Sequence, residues 1–359
     1  MKSFRTIFGS IMLTLAFLMP SFAQKSSKDS TKLHIGPLFK SDSMLAFTLN
    51  TNLKVLLKDR GDNPINHWAS LEYKNESQEA VSLNLKVKVR GNFRKSSSNC
   101  VFPPMLLNLP DKKTKNTVFE HQDHLKLVTH CQSEDYIFQE YLVYKAYNLL
   151  TDYSFKARLA KVTYQDSTGK RDPQTRLAFL LEEEDMLAKR NATEIFKLKN
   201  ISMNQVDSVQ MATAAVFEYM IGNTDWSVPY LHNIKLLFKK GSPYLPVPYD
   251  FDHSGIVEAK YAQPAQELEI SSVRRRLYRG ITFTPTVFQE VFANFKRIKP
   301  QLYALYEGNP QLNERYIKRT IKYLDEFYET IDDPKSLKKI FIHGGGQGAS
   351  KGVVIKGLN

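Results

Sequence analysis

Residues 221–256 read IGNTDWSVPYLHNIKLLFKKGSPYLPVPYDFDHSGI, and this stretch gives the strongest indication of the fold. Two apolar runs, residues 234–238 and a second run that ends at Val247, flank a Gly-Ser-Pro turn. This spacing predicts a β-hairpin. The polar side chains at its two ends are Asp225, His232, Asn233, Asp250, Asp252 and His253.

These polar residue types suit a site for a divalent cation and a polyphosphate. Mg²⁺ and Mn²⁺ prefer oxygen ligands, and phosphoryl transfer needs a base or orienting Asp, an Asn and an Asp on the metal, and a cation on the phosphates. We therefore expect Asp225 to orient an acceptor hydroxyl, Asn233 and Asp250 to bind metal, and Asp252 to be an auxiliary metal ligand. Each of these side chains, taken alone, has the alternative role of capping backbone groups near a turn.

The two histidines receive a different prediction. Magnesium sites rarely use imidazole, so we expect His232 and His253 to orient their neighbours or to pack.

The stretch contains, in order, an Asn-x-Asp motif, an Asn, a hairpin and an Asp-Phe-Asp motif. This order resembles the catalytic and metal-binding segments of the atypical kinases related to spore coat protein H, the CotH family. The resemblance extends over residues 86–256. It implies an α+β chain with a two-lobed protein-kinase-like fold. The β-rich N-terminal lobe would span residues 41–184, and the mainly helical C-terminal lobe residues 185–340. It also implies ATP as co-substrate, Mg²⁺ or Mn²⁺, and an acceptor hydroxyl on a protein or an envelope glycan.

The same resemblance indicates a nucleotide site upstream. Arg90-Gly91-Asn92 follows a strand with alternating Lys residues, and a glycine there would let backbone N–H groups approach phosphate. Residues 102–109 lack the lysine that such kinases carry on the next strand. Lys126 is the best substitute, with Lys86 or Lys88 as alternatives. Glu140, on a helix predicted for residues 134–150, would pair with that lysine.

One spacing departs from the family pattern. Asp225 and Asn233 are eight positions apart, whereas kinases usually place the two residues five apart. The extra residues either loop out at Pro229 or separate Asn233 from the metal that Asp250 binds.

The chain ends have the composition of processing and linker segments. Residues 1–23 carry Lys2 and Arg5, then a short apolar run and a small-residue cleavage site, which predicts a secretory signal peptide. Residues 24–40 and 341–359 are predicted to be a flexible leader and a flexible tail. We expect export to a periplasm or the cell exterior, with no transmembrane segment in the mature chain.

The formal net charge of +13 favours anionic partners. For an exported chain these would be envelope lipids, anionic glycans or acidic polypeptides, and nucleic acid is not expected. The alternative is a basic chain with no such partner. The cluster Arg274-Arg275-Arg276 fits either an acidic substrate or a solvated helix face.

Cysteine use leaves two alternatives. Cys100 and Cys131 are the two cysteines of the chain. They could form a disulfide in an oxidising compartment, or they could join His121, His124 or His130 in a metal site.

These expectations combine into an exported, metal-dependent kinase that transfers a nucleotide γ-phosphoryl group to a hydroxyl. Two alternatives stay open. One is a non-catalytic kinase-like binding module of the cell envelope, and the other is a metal-dependent phosphoesterase that uses the same carboxylates.

Overall fold

Alternating apolar side chains build the strands of the first half of the chain. The computed structural model describes residues 36–344, all within the compact unit Leu33–Asn359. In the strand Ala80–Val89, Leu83, Leu85, Val87 and Val89 are buried on one face, whereas Lys86 on the other face is exposed. The strands are β1 Leu45–Thr51, β2 His67–Lys74, β3 Ala80–Val89, β4 Met105–Asn108, β5 His124–Val128, β6 Ala157–Asp166, β7 Gln174–Leu181, β8 Glu194–Phe196, β9 Ile234–Phe238 and β10 Leu245–Pro248.

The first seven strands close into a barrel with the order β1-β2-β3-β4-β5-β7-β6. Closure comes from β1, which pairs antiparallel with β2 and parallel with β6. Leu49 of β1 lies opposite Leu71 on one side and Tyr164 on the other, and all three are buried. The inward faces of these strands form one hydrophobic core inside the barrel.

Helices cover the barrel on one side and build most of the second half. They are α1 Leu53–Lys58, α2 Asp111–Thr114, α3 Glu134–Asn148, α4 Glu184–Arg190, α5 Ser208–Ile221, α6 Pro285–Ala304, α7 Glu314–Asp332 and α8 Pro334–Leu337. Helix α3 packs on the outer face of β6 and β7. Phe179 and Leu181 of β7 therefore belong to a second hydrophobic core, which is shared with the helices, and not to the core inside the barrel. Helix α5 is buried almost all round, as expected of a helix at the centre of a core.

The predicted hairpin is present as β9 and β10, which pair antiparallel from Ile234 with Pro248 to Leu237 with Leu245. Strand β8 adds to β9, so the hairpin is part of a three-stranded sheet with the order β10-β9-β8. The buried residues Leu236, Leu237 and Val247 anchor this sheet in the same core as α3 and α5.

The prediction of a two-lobed protein-kinase-like fold, with a β-rich N-terminal lobe and a helical C-terminal lobe, is wrong. The seven strands of the first half form a closed barrel, and a second sheet lies among the helices of the other half. The α+β mixture itself is present. Apolar alternation identifies the buried face of a strand but not its partners, and β1 closes the barrel with a strand more than a hundred residues further along the chain.

The segments predicted at the chain ends are described only in part. The predicted signal peptide 1–23 lies outside the described residues, as do most of the leader 24–40 and most of the tail 341–359. The predicted division at residues 184 and 185 stays a prediction. Within residues 36–344, no helix combines the length and the apolar character needed to cross a membrane.

The two cysteines form a disulfide. Cys100 and Cys131 are bonded, with 4.8 Å between their Cα atoms. Cys100 follows a short 3-10 turn, Phe93–Lys95, and Cys131 precedes α3. The bond therefore ties this turn to the start of the helix and excludes the alternative in which both cysteines bind a metal.

Candidate functional site

A pocket of about 350 Å³ brings together most of the residues predicted for the site. The predicted residues that line it are Arg90, Gly91, Asn92, Asp225, Asn233, Asp250 and Asp252. Phe93, Arg94, His232, Tyr249 and His253 are among the other lining residues. The pocket thus unites the end of β3 with both ends of the β9–β10 hairpin.

The chain reaches the pocket through tight turns. Helix α5 ends at Gly222, whose φ of 71° is left-handed, and the three residues that follow lead to Asp225. Asn233 and Asp250 also have positive φ, at 50° and 63°. Short polar side chains tolerate this region better than most residues, so these asparagine and aspartate residues fit their positions at the ends of the hairpin.

Asp225 is held by two neighbours. His232 Nε2 lies 2.7 Å from Asp225 Oδ1, and the Asn233 side-chain amide donates to Asp225 Oδ2 at 3.1 Å and to the Asp225 carbonyl oxygen at 2.8 Å. The backbone groups of Ser227 and His232 exchange hydrogen bonds. The extra residues between Asp225 and Asn233 therefore loop out, and Asn233 returns to Asp225. His232 has the orienting role expected from the sequence.

The second part of the site is an ion cluster around Arg94. The Arg94 guanidinium contacts Glu140 at 3.0 Å, Asp250 at 2.6 Å and Asp252 at 3.3 Å. The Arg94, Glu140 and Asp252 side chains are at most 8% exposed, whereas the Asp250 side chain is 42% exposed. Asp250 is thus the carboxylate of this cluster that faces solvent.

Burial and charge act against each other in this cluster. Burial would lower the pKa of Arg94, but Asp252, Glu140 and Asp250 raise that pKa well above its usual value. Burial raises the pKa of Glu140 to about 8, although Arg94 opposes the increase. Burial would also raise the pKa of Asp250, yet Arg94 and Arg90 hold it below its usual value. At neutral pH Asp250 is therefore a charged carboxylate.

A hydrogen bond to α3 and another from a downstream loop position the carboxylates. The Asp250 backbone N–H donates to Tyr144 Oη at 2.9 Å, and Tyr144 lies one helical turn after Glu140 on α3. Tyr261 Oη donates to Asp252 Oδ2 at 2.9 Å. His253 packs against the rings of Phe93 and Tyr261, which agrees with its predicted packing role.

The donor set fits a hard divalent cation. Among residues 36–344, Glu140, Asp250 and Asp252 form the acidic cluster able to hold a metal, with one oxygen of each within 4.8 Å of the others. Glu140 Oε1 is buried and has no hydrogen-bond partner. Carboxylate oxygens are the ligands that Mg²⁺ and Mn²⁺ prefer, so Asp250, Asp252 and Glu140 are suited to this kind of ion.

The cation that pairs with Glu140 is Arg94 and not the Lys126 that we expected. Lys126 Nζ instead lies 3.8 Å from Glu183 and near the rings of Phe155 and Tyr249. Burial, followed by the charge of Arg90, lowers the pKa of Lys126. Neither Lys126 nor the alternatives Lys86 and Lys88 line the pocket.

Arg94 is the residue of this cluster that the sequence patterns did not identify. The sequence feature that could have identified Arg94 is its position in Arg-Gly-Asn-Phe-Arg, where a second cationic residue lies three positions after the glycine. The disulfide constrains the backbone near the Arg94–Glu140 ion pair. Cys100 lies after the turn that carries Arg94, and Cys131 lies before the helix that carries Glu140.

Comparisons with known proteins give only distant structural likenesses. No family model matches the chain, and no curated protein matches it. Among solved structures, the chain is similar to the Helicobacter pylori proinflammatory kinase CtkA, with 13% identity over 76% of this chain and 90% of that one. The TM-score of 0.36 is too low to carry an argument about this chain. The resemblance to the spore coat protein H kinases stays a prediction from motifs.

Proposed function

We propose that this chain is an atypical kinase that transfers a nucleotide γ-phosphoryl group to a hydroxyl with the help of Mg²⁺ or Mn²⁺. One observation carries the proposal. A single pocket holds an aspartate fixed by two neighbours, Asp225, together with a carboxylate cluster that contains its own cation, Arg94. These are the parts that phosphoryl transfer requires.

Asp225 would orient the acceptor hydroxyl and accept its proton. Hydrogen bonds from His232 and Asn233 to its two carboxylate oxygens restrict its rotation. A base that is held in place needs less reorganisation to reach a hydroxyl in the pocket.

Asp250 and Asp252 would hold the metal ion, with Glu140 beside them and Asn233 as a further oxygen donor. When bound, the ion would neutralise charge on the β- and γ-phosphates. The half-exposed Asp250 carboxylate is the group of this set most accessible from the pocket.

Arg94 would replace the kinase lysine. In protein kinases a lysine pairs with a helix glutamate and contacts the phosphates, and Arg94 forms the corresponding pair with Glu140 on α3. A guanidinium donates through a planar fork that matches phosphate oxygens. The turn at Arg90, Gly91 and Asn92 lies in the same pocket and would add backbone N–H donors.

The acceptor class and the location are parts of the same proposal. We expect a hydroxyl on a protein or on an anionic envelope glycan, in a chain exported by its predicted signal peptide. The net charge of +13 supports an anionic partner of this kind.

The decisive experiment compares thermal unfolding with ATP, with Mn²⁺ and with both ligands. We expect the wild-type protein to be stabilised most by both together, by about 2.7 kcal/mol at a hundredfold excess over the dissociation constant. Asp250→Asn should lose this stabilisation. Asp172→Asn, an exposed aspartate outside the pocket, is the matched control and should behave as wild type.

Asp225→Asn separates binding from chemistry. It should retain the stabilisation by ATP and Mn²⁺ but lose transfer of radiolabelled γ-phosphate to an acceptor. Transfer that persists in Asp225→Asn, or a wild-type protein that neither ligand stabilises, would contradict the proposal.

One observation favours a non-catalytic binding module as the second candidate. Arg94 already forms an ion pair with each of the three carboxylates. In that case Mn²⁺ would leave the melting temperature unchanged with and without ATP.

A further inference from the structure

A basic face on the outside of the barrel leads into the pocket. Lys86 and Lys88 point outward from β3, and Arg90, the next residue on the same face, lines the pocket. Alternate residues of a strand are about 7 Å apart, so the three cations form a row that ends at the pocket. Within residues 36–344, none of the three forms an ion pair with a carboxylate.

The row begins beside an exposed tryptophan. Trp68 of β2 lies opposite Lys86 in the sheet, and 74% of its surface is exposed. Lys86 Nζ lies 4.9 Å from the centre of the Trp68 ring, which holds the ring beside the cations. On the other side of Lys86, β4 places the partly exposed Asn108 opposite it.

We infer that this face, formed by Trp68, Lys86, Lys88 and Arg90, is the docking surface for an anionic glycan. The inference deepens the proposed function, because it names the acceptor class of that pocket and rests on it for the transfer that follows docking. An indole ring packs against the C–H face of a sugar ring, and the row of cations binds carboxylates.

The residues of this face favour a glycan over two other anionic polymers. Sequence-independent binding of single-stranded nucleic acid uses aromatic side chains on which successive bases stack, and Trp68 is the one outward-pointing Trp, Tyr or Phe of β2 and β3. An acidic peptide would need the cations but not a flat apolar ring exposed to 74%.

The two tryptophans allow a direct test on the full chain. Trp226 is 2% exposed, so a ligand that covers the barrel face changes the fluorescence of Trp68 alone. We expect oligogalacturonate to shift the emission to shorter wavelength and neutral dextran to have no effect. Trp68→Phe should abolish the shift. Raising the salt concentration should weaken binding, because ion pairs with the cations are screened.

Variants measured by calorimetry identify the surface. Trp68→Ala and the double variant Lys86→Ala/Lys88→Ala should each bind oligogalacturonate at least tenfold more weakly. The matched controls are Leu198→Ala and Lys318→Ala, an apolar residue that is 69% exposed and a lysine whose side chain is 81% exposed, and both should bind as wild type.

Three outcomes would overturn the inference. They are no binding of oligogalacturonate, binding that the variants leave unchanged, and equal or tighter binding of polyglutamate or oligodeoxythymidylate. Thermal unfolding with ATP and Mn²⁺ on the same variants keeps the two proposals distinct. If the glycan binds through Trp68 while ATP and Mn²⁺ give no stabilisation, the docking surface stands and the kinase proposal fails. If ATP and Mn²⁺ stabilise the protein while the glycan does not bind through Trp68, the docking surface is rejected and the kinase proposal stands.

Discussion

At the scale of single residues, the ion cluster depends on the side chain of Arg94. This side chain is buried and pairs with three carboxylates, one on α3 and two in the segment that follows β10. Removing one partner of a buried ion pair leaves uncompensated charge, which is costly. The same three carboxylates would attract a divalent cation more strongly if the guanidinium were absent.

Arg94→Met should therefore lose about 3 to 5 kcal/mol of unfolding free energy in metal-free buffer. Mn²⁺ should restore part of that loss, and should stabilise the variant more than it stabilises the wild type. Urea unfolding with and without Mn²⁺ measures both effects. Arg171→Met, at an exposed position, is the control. Equal stabilisation of variant and wild type by Mn²⁺ would mean that the cluster does not bind the ion.

Glu218 is a second residue with an unusual environment. It lies on α5 and is 1% exposed. Burial raises its pKa well above the usual value, the side chain of Asn223 opposes this, the charge of Asp225 adds to the increase and the charge of Arg279 opposes it. The folded state therefore keeps a proton that the unfolded chain releases above a pH of about 4.3.

Because the pKa is raised on folding, the stability that Glu218 contributes is present at low pH and is lost as pH rises towards the folded pKa. The slope is up to about 1.4 kcal/mol per pH unit. Glu218→Gln cannot titrate, so the stability of wild type relative to this variant should fall between pH 5 and pH 8. Urea unfolding across that range tests this, with the exposed Glu290→Gln as control. A constant difference would contradict the assignment.

At the scale of elements, the end of α5 determines where Asp225 lies. Gly222 terminates the helix in the left-handed region, and its α-carbon faces a crowded site. A Cβ atom there would lie 2.9 Å from the Val273 carbonyl oxygen and would also contact Tyr323 Oη. Gly241, in the hairpin turn, has a similar φ of 81° but nothing within 4 Å of a Cβ atom.

Gly222→Ala should consequently be more destabilising than Gly241→Ala by about 1 to 3 kcal/mol, the usual cost of overpacking. Both variants carry the cost of positive φ, which cancels in the comparison. The difference in urea midpoints measures the packing alone. If the two variants lose equal stability, the close contacts at Gly222 do not constrain the turn to Asp225.

At the scale of the whole unit, the barrel strands contribute to two hydrophobic cores, one inside the barrel and one shared with the helical half. Val128, Leu159 and Phe179 of the barrel strands belong to the same cluster as α5 and the β9–β10 hairpin. Two units whose cores have no elements in common would be able to unfold separately. Here α3 packs on the barrel and belongs to the second core, so we expect one cooperative transition.

The two tryptophans report on the two halves, because Trp68 lies on the barrel and Trp226 lies beside Asp225. Trp68→Phe leaves the signal of Trp226, and Trp226→Phe leaves that of Trp68. In each variant, the fluorescence midpoint in urea should equal the midpoint followed by far-ultraviolet circular dichroism. A separate midpoint for either tryptophan would show that the halves unfold independently.

The sequence by itself determined the local structure and most members of the candidate site. Alternation predicted β3, the sequence predicted α3 at residues 134–150, and the Gly-Ser-Pro turn predicted the β9–β10 hairpin. These patterns are local, since they depend on which face of each element is apolar. Asp225, Asn233 and Asp250 were identified for the same reason, because they flank one hairpin.

Only the tertiary structure decided the barrel, the cation of the site and the cysteine pairing. Barrel closure joins β1 to β6, and no local pattern specifies partners at that distance along the chain. Arg94 pairs with Glu140 and Asp250, which lie 46 and 156 residues away in the sequence. Long-range pairings depend on which surfaces the packed elements bring together, and that information is absent from the spacing of residues within any one element.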